Sequence, residues 1–164
     1  MTIAEINGLE RAAFVGRFGF LFEHSPWIVE LAWDRRPFAD LEAMHGALMG
    51  VVAEAPPESQ LALLRAHPRL AEKVALTAES TSEQASAGLD RLSREEFELF
   101  HRLNDAYDQR FGFPFIVCVR LTDKAGILAA MERRGRNGSE AELATALEEV
   151  GKIVWLRLKD AVTS

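Results

Sequence analysis

Of the residues in this chain, the ones able to move a proton, attack a carbon or hold a metal near neutral pH are its four histidines, its one cysteine and the carboxylates around them. His67 stands directly before Pro68, just past a stretch that ends a helix. A histidine at a helix C-terminus feels the partial negative charge there, which favours its protonated form. The fixed φ of Pro68 would hold the ring in a set direction. That arrangement suits a general acid, although a lone His-Pro pair is more often a plain helix stop.

A second group lies in Leu76-Thr77-Ala78-Glu79-Ser80-Thr81-Ser82-Glu83-Gln84. With a helix starting near Ser80, Ser80 and Gln84 share a face and Glu83 sits beside them. Hydroxyl, carboxyl and amide together can hydrogen-bond a polar heterocycle, and a helix N-terminus favours an anionic group. Ser followed three residues later by Glu also spells a capping box, its more ordinary use. A third group, Phe111-Gly112-Phe113-Pro114-Phe115-Ile116, sets three aromatics around a glycine and a proline. These either line an apolar pocket with open backbone groups or belong to the core. Cys118, in the apolar run Phe115 to Val119, reads as inert packing, since its neighbours raise a thiol pKa.

A competing pattern is metal binding. Glu42-x-x-His45 and Glu98-x-x-His101 both fall on expected helices, and two such pairs with a Glu from each of two further helices hold a di-iron centre in ferritin-like bundles. Glu30 and Glu148 are available as the further ligands, but nothing singles them out. The chain has no His-Glu-x-x-His, glycine-rich phosphate loop or Gly-x-Ser-x-Gly elbow.

Helix signals recur along the elements that must position these groups. Thr2-x-x-Glu5 is a capping box for a helix to about Phe14. Ser25-Pro26 opens a second with Trp27, Ile28, Leu31 and Ala32 on one face, closed by Pro37. A helix from about Phe38 to Glu54 carries Leu41, Met44, Leu48, Met49 and Val52, and a short one through Leu61 and Leu64 ends before Pro68. His67 to Ser82 has weak periodicity and reads as ordered loop, followed by a helix from near Ser80 to about Leu89. Ser93-x-x-Glu96 caps a helix through Tyr107, Asp123 caps one to Arg134, and Ser139-x-x-Glu142 starts the last, with Leu143, Leu147, Val150, Val154 and Leu158 as its stripe. Glu132 to Glu142 reads as a surface turn. Phe115 to Arg120 alone looks strand-like, and one short strand makes no sheet. The expectation is an all-α, single-domain bundle of about eight helices over residues 1–164.

Composition agrees with one globular domain: 48% of residues are hydrophobic and 27% charged. A net charge of -6 argues against a protein built to bind nucleic acid, which needs a basic face. No apolar run is long enough for a membrane span, and neither a secretory signal nor a peroxisomal tripeptide is seen, so the expected location is the cytoplasm.

Taken in order, His67-Pro68, Leu76 to Gln84 with Ala87-Gly88-Leu89 behind it, Leu103-Asn104-x-x-Tyr107 and Phe111 to Ile116 resemble the 2-oxo-4-hydroxy-4-carboxy-5-ureidoimidazoline (OHCU) decarboxylase family. Arg157-Leu158 adds to the likeness, which spans about Phe14 to Val162. The resemblance implies a helical fold, often a homodimer, that converts OHCU into (S)-allantoin and carbon dioxide in urate breakdown, without metal or cofactor. By the family pattern the catalytic residues are His67, the proton donor, and Glu83. Pro68, Ser80, Glu83, Gln84, Phe115, Ile116, Val117, Cys118 and Val119 form the substrate site. The family commonly has an acidic residue after His-Pro, where this chain has Arg69, a change bearing on surface charge more than on chemistry. Arg120 and Arg157 are both candidates to hold the substrate carboxylate. The alternatives are the di-iron protein and a non-catalytic helical module docking a partner on an exposed apolar patch.

Overall fold

The computed structural model describes residues 1–72 and 76–162, so the part of the expected middle loop at Lys73 to Ala75 lies outside the described residues. These form nine α-helices and no strand: α1 (Ile3–Asn7), α2 (Arg11–Phe18), α3 (Pro26–Trp33), α4 (Leu41–Glu54), α5 (Pro57–Arg65), α6 (Ala78–Ser86), α7 (Arg94–Phe111), α8 (Lys124–Arg134) and α9 (Ser139–Ala161). Short 3-10 turns occupy Gly19–Leu21 and Val119–Leu121. The all-α expectation holds.

The chain forms two compact units, residues 1–66 with 151–164, and residues 67–150; their boundary falls inside α9. In the first unit α2 packs on α3 and α3 on α4. Phe14, Phe18, Ile28, Met44, Leu48, Leu63, Leu64, Val154 and Leu158 are among its fully buried side chains. Burying each large apolar group contributes about 1.5–3 kcal/mol. The guanidinium of Arg36 lies 3.9 Å over the Trp33 ring and donates to the carbonyls of Asn7 (2.6 Å) and Leu9 (2.9 Å), tying the α1–α2 corner to the end of α3.

The second unit holds α6, α7, α8 and the first half of α9, with α7 against α8 and α6 against the 3-10 turn Val119–Leu121. Tyr107 gathers the rings of Phe111, Phe113 and Phe115 at centroid distances of 4.6, 5.9 and 5.3 Å. Both capping boxes expected at Thr2/Glu5 and Ser93/Glu96 are formed, Asp123 caps α8, and α7 ends at Gly112 in the left-handed conformation (φ 77°) that glycine adopts without a Cβ clash.

Several local expectations are corrected. The first helix stops at Gly8, and a new one starts at Arg11 after extended Glu10. On α3 the buried face is Ile28, Val29 and Ala32, with Leu31 half exposed. The Ser25 hydroxyl donates to the Glu23 carbonyl and makes no cap. Phe115 to Arg120 forms no strand; its end winds into the 3-10 turn. Ser139-x-x-Glu142 is no capping box, because Ser139 is already helical and Glu142 is fully buried. Glu132 to Glu142, expected as a surface turn, encloses a buried ion pair of Arg134 and Glu142, 2.6 Å apart with side chains 6% and 0% exposed.

Candidate active site

The cap of α6 is Thr77, whose hydroxyl accepts from the Ser80 amide at 3.2 Å, so α6 begins two residues earlier than expected. Ser80 is thereby inside the helix, and its Ser-x-x-Glu spacing to Glu83 is not a capping box. Ser80 and Gln84, one turn apart, are both buried, at 6% and 8% exposure, and Glu83 beside them is half-buried. The polar face expected at the start of α6 is thus turned inward, as a ligand-binding face would be.

The segment after α5 carries His67 and Pro68, both half-buried. It is fixed at three places. The Leu70 carbonyl accepts from the Asn104 side-chain amide at 2.9 Å, and the next N–H, that of Ala71, donates to the Gln84 side-chain oxygen at 3.1 Å. These two groups belong to one peptide, gripped from α7 on one side and α6 on the other. Ala71 takes a left-handed backbone (φ 61°), which an alanine keeps only where its surroundings impose it. Arg69 supplies the third anchor, reaching Asp105 at 2.7 Å, Glu72 at 3.1 Å and Asp108 at 3.5 Å. Its hydrogen bond holds the Asp105 carboxyl below the usual range, whereas burial pushes that of Asp108 up despite the same guanidinium. Arg69 therefore fastens the His-Pro segment to α7, a role that sequence reasoning did not assign to it.

The run from Phe115 to Val119 is held from behind. Arg134 donates to the Ile116 carbonyl at 2.7 Å and lies 4.4 Å over the Phe115 ring. The Cys118 amide donates to Glu149 at 3.0 Å. Arg134 is itself fixed by Glu142, which also accepts from the Tyr107 hydroxyl (2.6 Å) and the Asn137 amide (3.0 Å). Burial and the adjoining carboxylate push the Tyr107 phenol far up, so it stays a protonated donor. Within the run Phe115, Ile116, Cys118 and Val119 are buried and Val117 is half-buried. Burial and then the charges of Glu149 and Glu83 raise the Cys118 thiol, in keeping with inert packing. The Glu83 charge acts on that thiol because α6 packs against the following 3-10 turn.

Helix α6 is therefore the shared wall. Gln84 meets the His-Pro segment, and Glu83, one residue earlier, acts electrostatically on the Phe115–Val119 run. Asn104, Arg134, Glu142 and Glu149 are the residues that sequence reasoning missed as supports. Asn104 had stood out only within the family likeness. The Glu142 signal was hidden in an apparent capping box. A cavity of about 490 Å³ lies along α6 against Ala71, Glu72, Thr81, Gln84 and Phe97; neither His67 nor Glu83 lines it. Arg120 is exposed, and Arg157, buried in the first unit, donates to Glu23 at 2.9 Å and to the Phe20 carbonyl at 3.1 Å.

The di-iron set is not assembled. His45 donates to the Gly151 carbonyl at 2.8 Å and Glu98 pairs with Arg94 at 3.2 Å. His101 lies near Asp105 (3.4 Å) and Glu72 (3.6 Å). Among the described residues no three His, Cys, Asp or Glu side chains are placed to hold a metal, and no helix is long and apolar enough to cross a membrane.

The model of the OHCU decarboxylase family matches residues 7–159, through both units. A 2-oxo-4-hydroxy-4-carboxy-5-ureidoimidazoline decarboxylase of Haloferax volcanii is 45% identical over 164 residues, covering 100% of this chain and 98% of its own length. A uric acid degradation bifunctional protein of Bacillus subtilis is 38% identical over 99% of this chain, which spans 33% of that protein. Among solved structures, an (S)-allantoin synthase superimposes with a TM-score of 0.81 at 29% identity, over 99% of this chain and 54% of its own.

Proposed function

We propose that His67 and Glu83 carry out the reaction of this chain, which belongs to the OHCU decarboxylase family. The chain is a carboxy-lyase that converts OHCU into (S)-allantoin and carbon dioxide in urate breakdown. Loss of carbon dioxide leaves an electron pair that needs a sink, often a cofactor. In OHCU the carbon bearing the carboxylate adjoins a ring C=N bond, so the substrate brings its own. As the bond to the carboxylate breaks, its pair forms a C=C bond to the ureido-bearing carbon. The former C=N pair moves to nitrogen, which takes a proton. The resulting enol then loses its hydroxyl proton and becomes a carbonyl, while the ureido-bearing carbon accepts a proton on one face.

What remains for the protein is to orient the ring, exclude water from the departing carboxylate and present an acid on that face. His67 fills the acid role, Glu83 orients His67 or the ureido group, and Pro68, Ser80, Gln84 and Phe115 to Val119 surround the substrate. No metal or cofactor enters these steps. The observation that carries the reading is the bond from Ala71 to Gln84 (3.1 Å), which joins the His67 segment to α6 next to Glu83. Family membership and the match over residues 7–159 support a single OHCU decarboxylase-like domain over residues 1–164. The family resemblance also supports a homodimer, and the proposed location is the cytoplasm; sedimentation and cell fractionation would check them.

The test is to generate OHCU fresh from urate with the two preceding enzymes, add the protein and follow optical activity. Allantoin should form in one hand and faster than by spontaneous decay; a rate equal to that decay would remove the proposal.

A further inference from the structure

We propose that Asn104 is a positioning residue for proton delivery, acting on His67 through the Leu70–Ala71 peptide; this rests on His67 being the donor. Both polar groups of that peptide are held by buried side-chain amides, the carbonyl by Asn104 (2.9 Å) and the N–H by Gln84 (3.1 Å). Gripping both groups stops the peptide from turning about the chain direction. The left-handed Ala71 shows that this orientation is imposed and is not the local preference of the chain. Between the peptide and His67 stand only Pro68, whose φ is fixed, and Arg69, itself anchored on α7. A turn of the peptide therefore has few bonds in which to relax before it reaches the imidazole.

A second observation concerns Asn104 itself. The residue is 2% exposed, and its side-chain oxygen has no hydrogen-bond partner among the described residues. A buried acceptor without a partner is destabilising, and an apolar side chain of similar size would avoid that cost. Among the described residues the one hydrogen bond of this side chain is the donation from its NH2 group to the Leu70 carbonyl, three residues from His67. Gln84 and Asn104 thus have different duties. Gln84 belongs to the proposed substrate face, whereas Asn104 has only the peptide to hold.

The chemistry supplies a readout that stability does not move. Protonation of the ureido-bearing carbon creates its stereocentre, so a wandering imidazole costs handedness as well as rate. Displacement by about 1 Å from the productive geometry can cost a hundredfold. Asn104→Leu and Asn104→Asp both remove the donor, the second with almost unchanged shape. Each is compared with Phe100→Leu, a buried change on the same helix that leaves the peptide bonds alone.

Fresh OHCU is supplied at enzyme concentrations where spontaneous decay contributes little, and the enantiomeric ratio of allantoin, kcat, KM and melting temperature are measured together. The folded Asn104 variants should lose kcat by about tenfold or more with a smaller change in KM, and their excess of (S)-allantoin should fall. Phe100→Leu should melt lower and keep the wild-type ratio. If either Asn104 variant is folded and matches wild type in handedness and kcat, the inference is overturned; should Asn104→Leu fail to fold, Asn104→Asp decides. A wild-type protein giving no (S) excess would remove the function on which the inference rests, a distinct outcome.

Discussion

Residues 67–150 contain two polar networks that hold backbone in place by opposite means. Behind Phe115 to Val119, Glu142, Arg134, Tyr107 and Asn137 form a network in which the central ion pair is almost fully buried. Beside His67, the charged groups Arg69, Glu72, Asp105 and Asp108 remain partly in water, and the buried contacts are the neutral amides of Asn104 and Gln84. Buried charges hold firmly once paired but are costly if one is removed; exposed charges contribute little and are screened by salt. The segment of His67, the proposed acid, is thus held by neutral amides and partly exposed charges, whereas Phe115 to Val119 is held by a buried ion pair.

The largest effect on stability should come from breaking the buried ion pair. Glu142→Ala strands the Arg134 charge and should cost about 3–5 kcal/mol in urea unfolding. Replacing Arg134 by Met, Glu142 by Leu and Tyr107 by Phe together should recover part of that loss, since the paired charges and the phenol leave together and only the Ile116 carbonyl and the Asn137 amide lose a partner. A triple variant as unstable as the single one would show that the network is not a self-contained unit. Asn104→Leu should cost less, about 1 kcal/mol, because a lost donor is offset by removal of an unpartnered oxygen.

The smallest effects belong to the partly exposed charges, and they have opposite signs. The folded Asp105 carboxyl titrates below its ordinary 3.8, so its contribution is present above that value and fades as pH falls through the lowered one. Asp105→Asn should therefore destabilise slightly at neutral pH, and added salt should erase the difference. Asp108 is raised by burial, so its ionised form costs stability at neutral pH, a cost relieved as pH falls through the raised value. Asp108→Asn should leave the protein slightly more stable near pH 7. Thermal melting from pH 3 to 7 at two salt concentrations reads both signs.

What was legible in the sequence tracks how local each signal is. The caps at Thr2, Ser93 and Asp123 need only a side chain and an amide three residues on, and all three are formed. Ser139-x-x-Glu142 carries the same letters, yet Tyr107 and Arg134 claim its glutamate. Only the three-dimensional arrangement says which partner wins. His67, Ser80, Glu83 and Gln84 were candidates by residue type and spacing, where a helix stop and a cap were the more ordinary readings, and only the family likeness made them proposed site residues; the structure places Ser80 and Gln84 inward on α6 with Thr77 as cap. The supports at Asn104, Arg69 and Glu149 bind backbone or charges 30 or more residues away, a separation that no periodicity encodes.

The most direct measurement is kcat/KM of His67→Ala against wild type on freshly made OHCU, with melting curves recorded for both. The proposed mechanism predicts a loss of about 10²- to 10⁴-fold with an unchanged melting temperature, as removal of a general acid would give. A folded His67→Ala protein that still produced (S)-allantoin at close to the wild-type rate would contradict it.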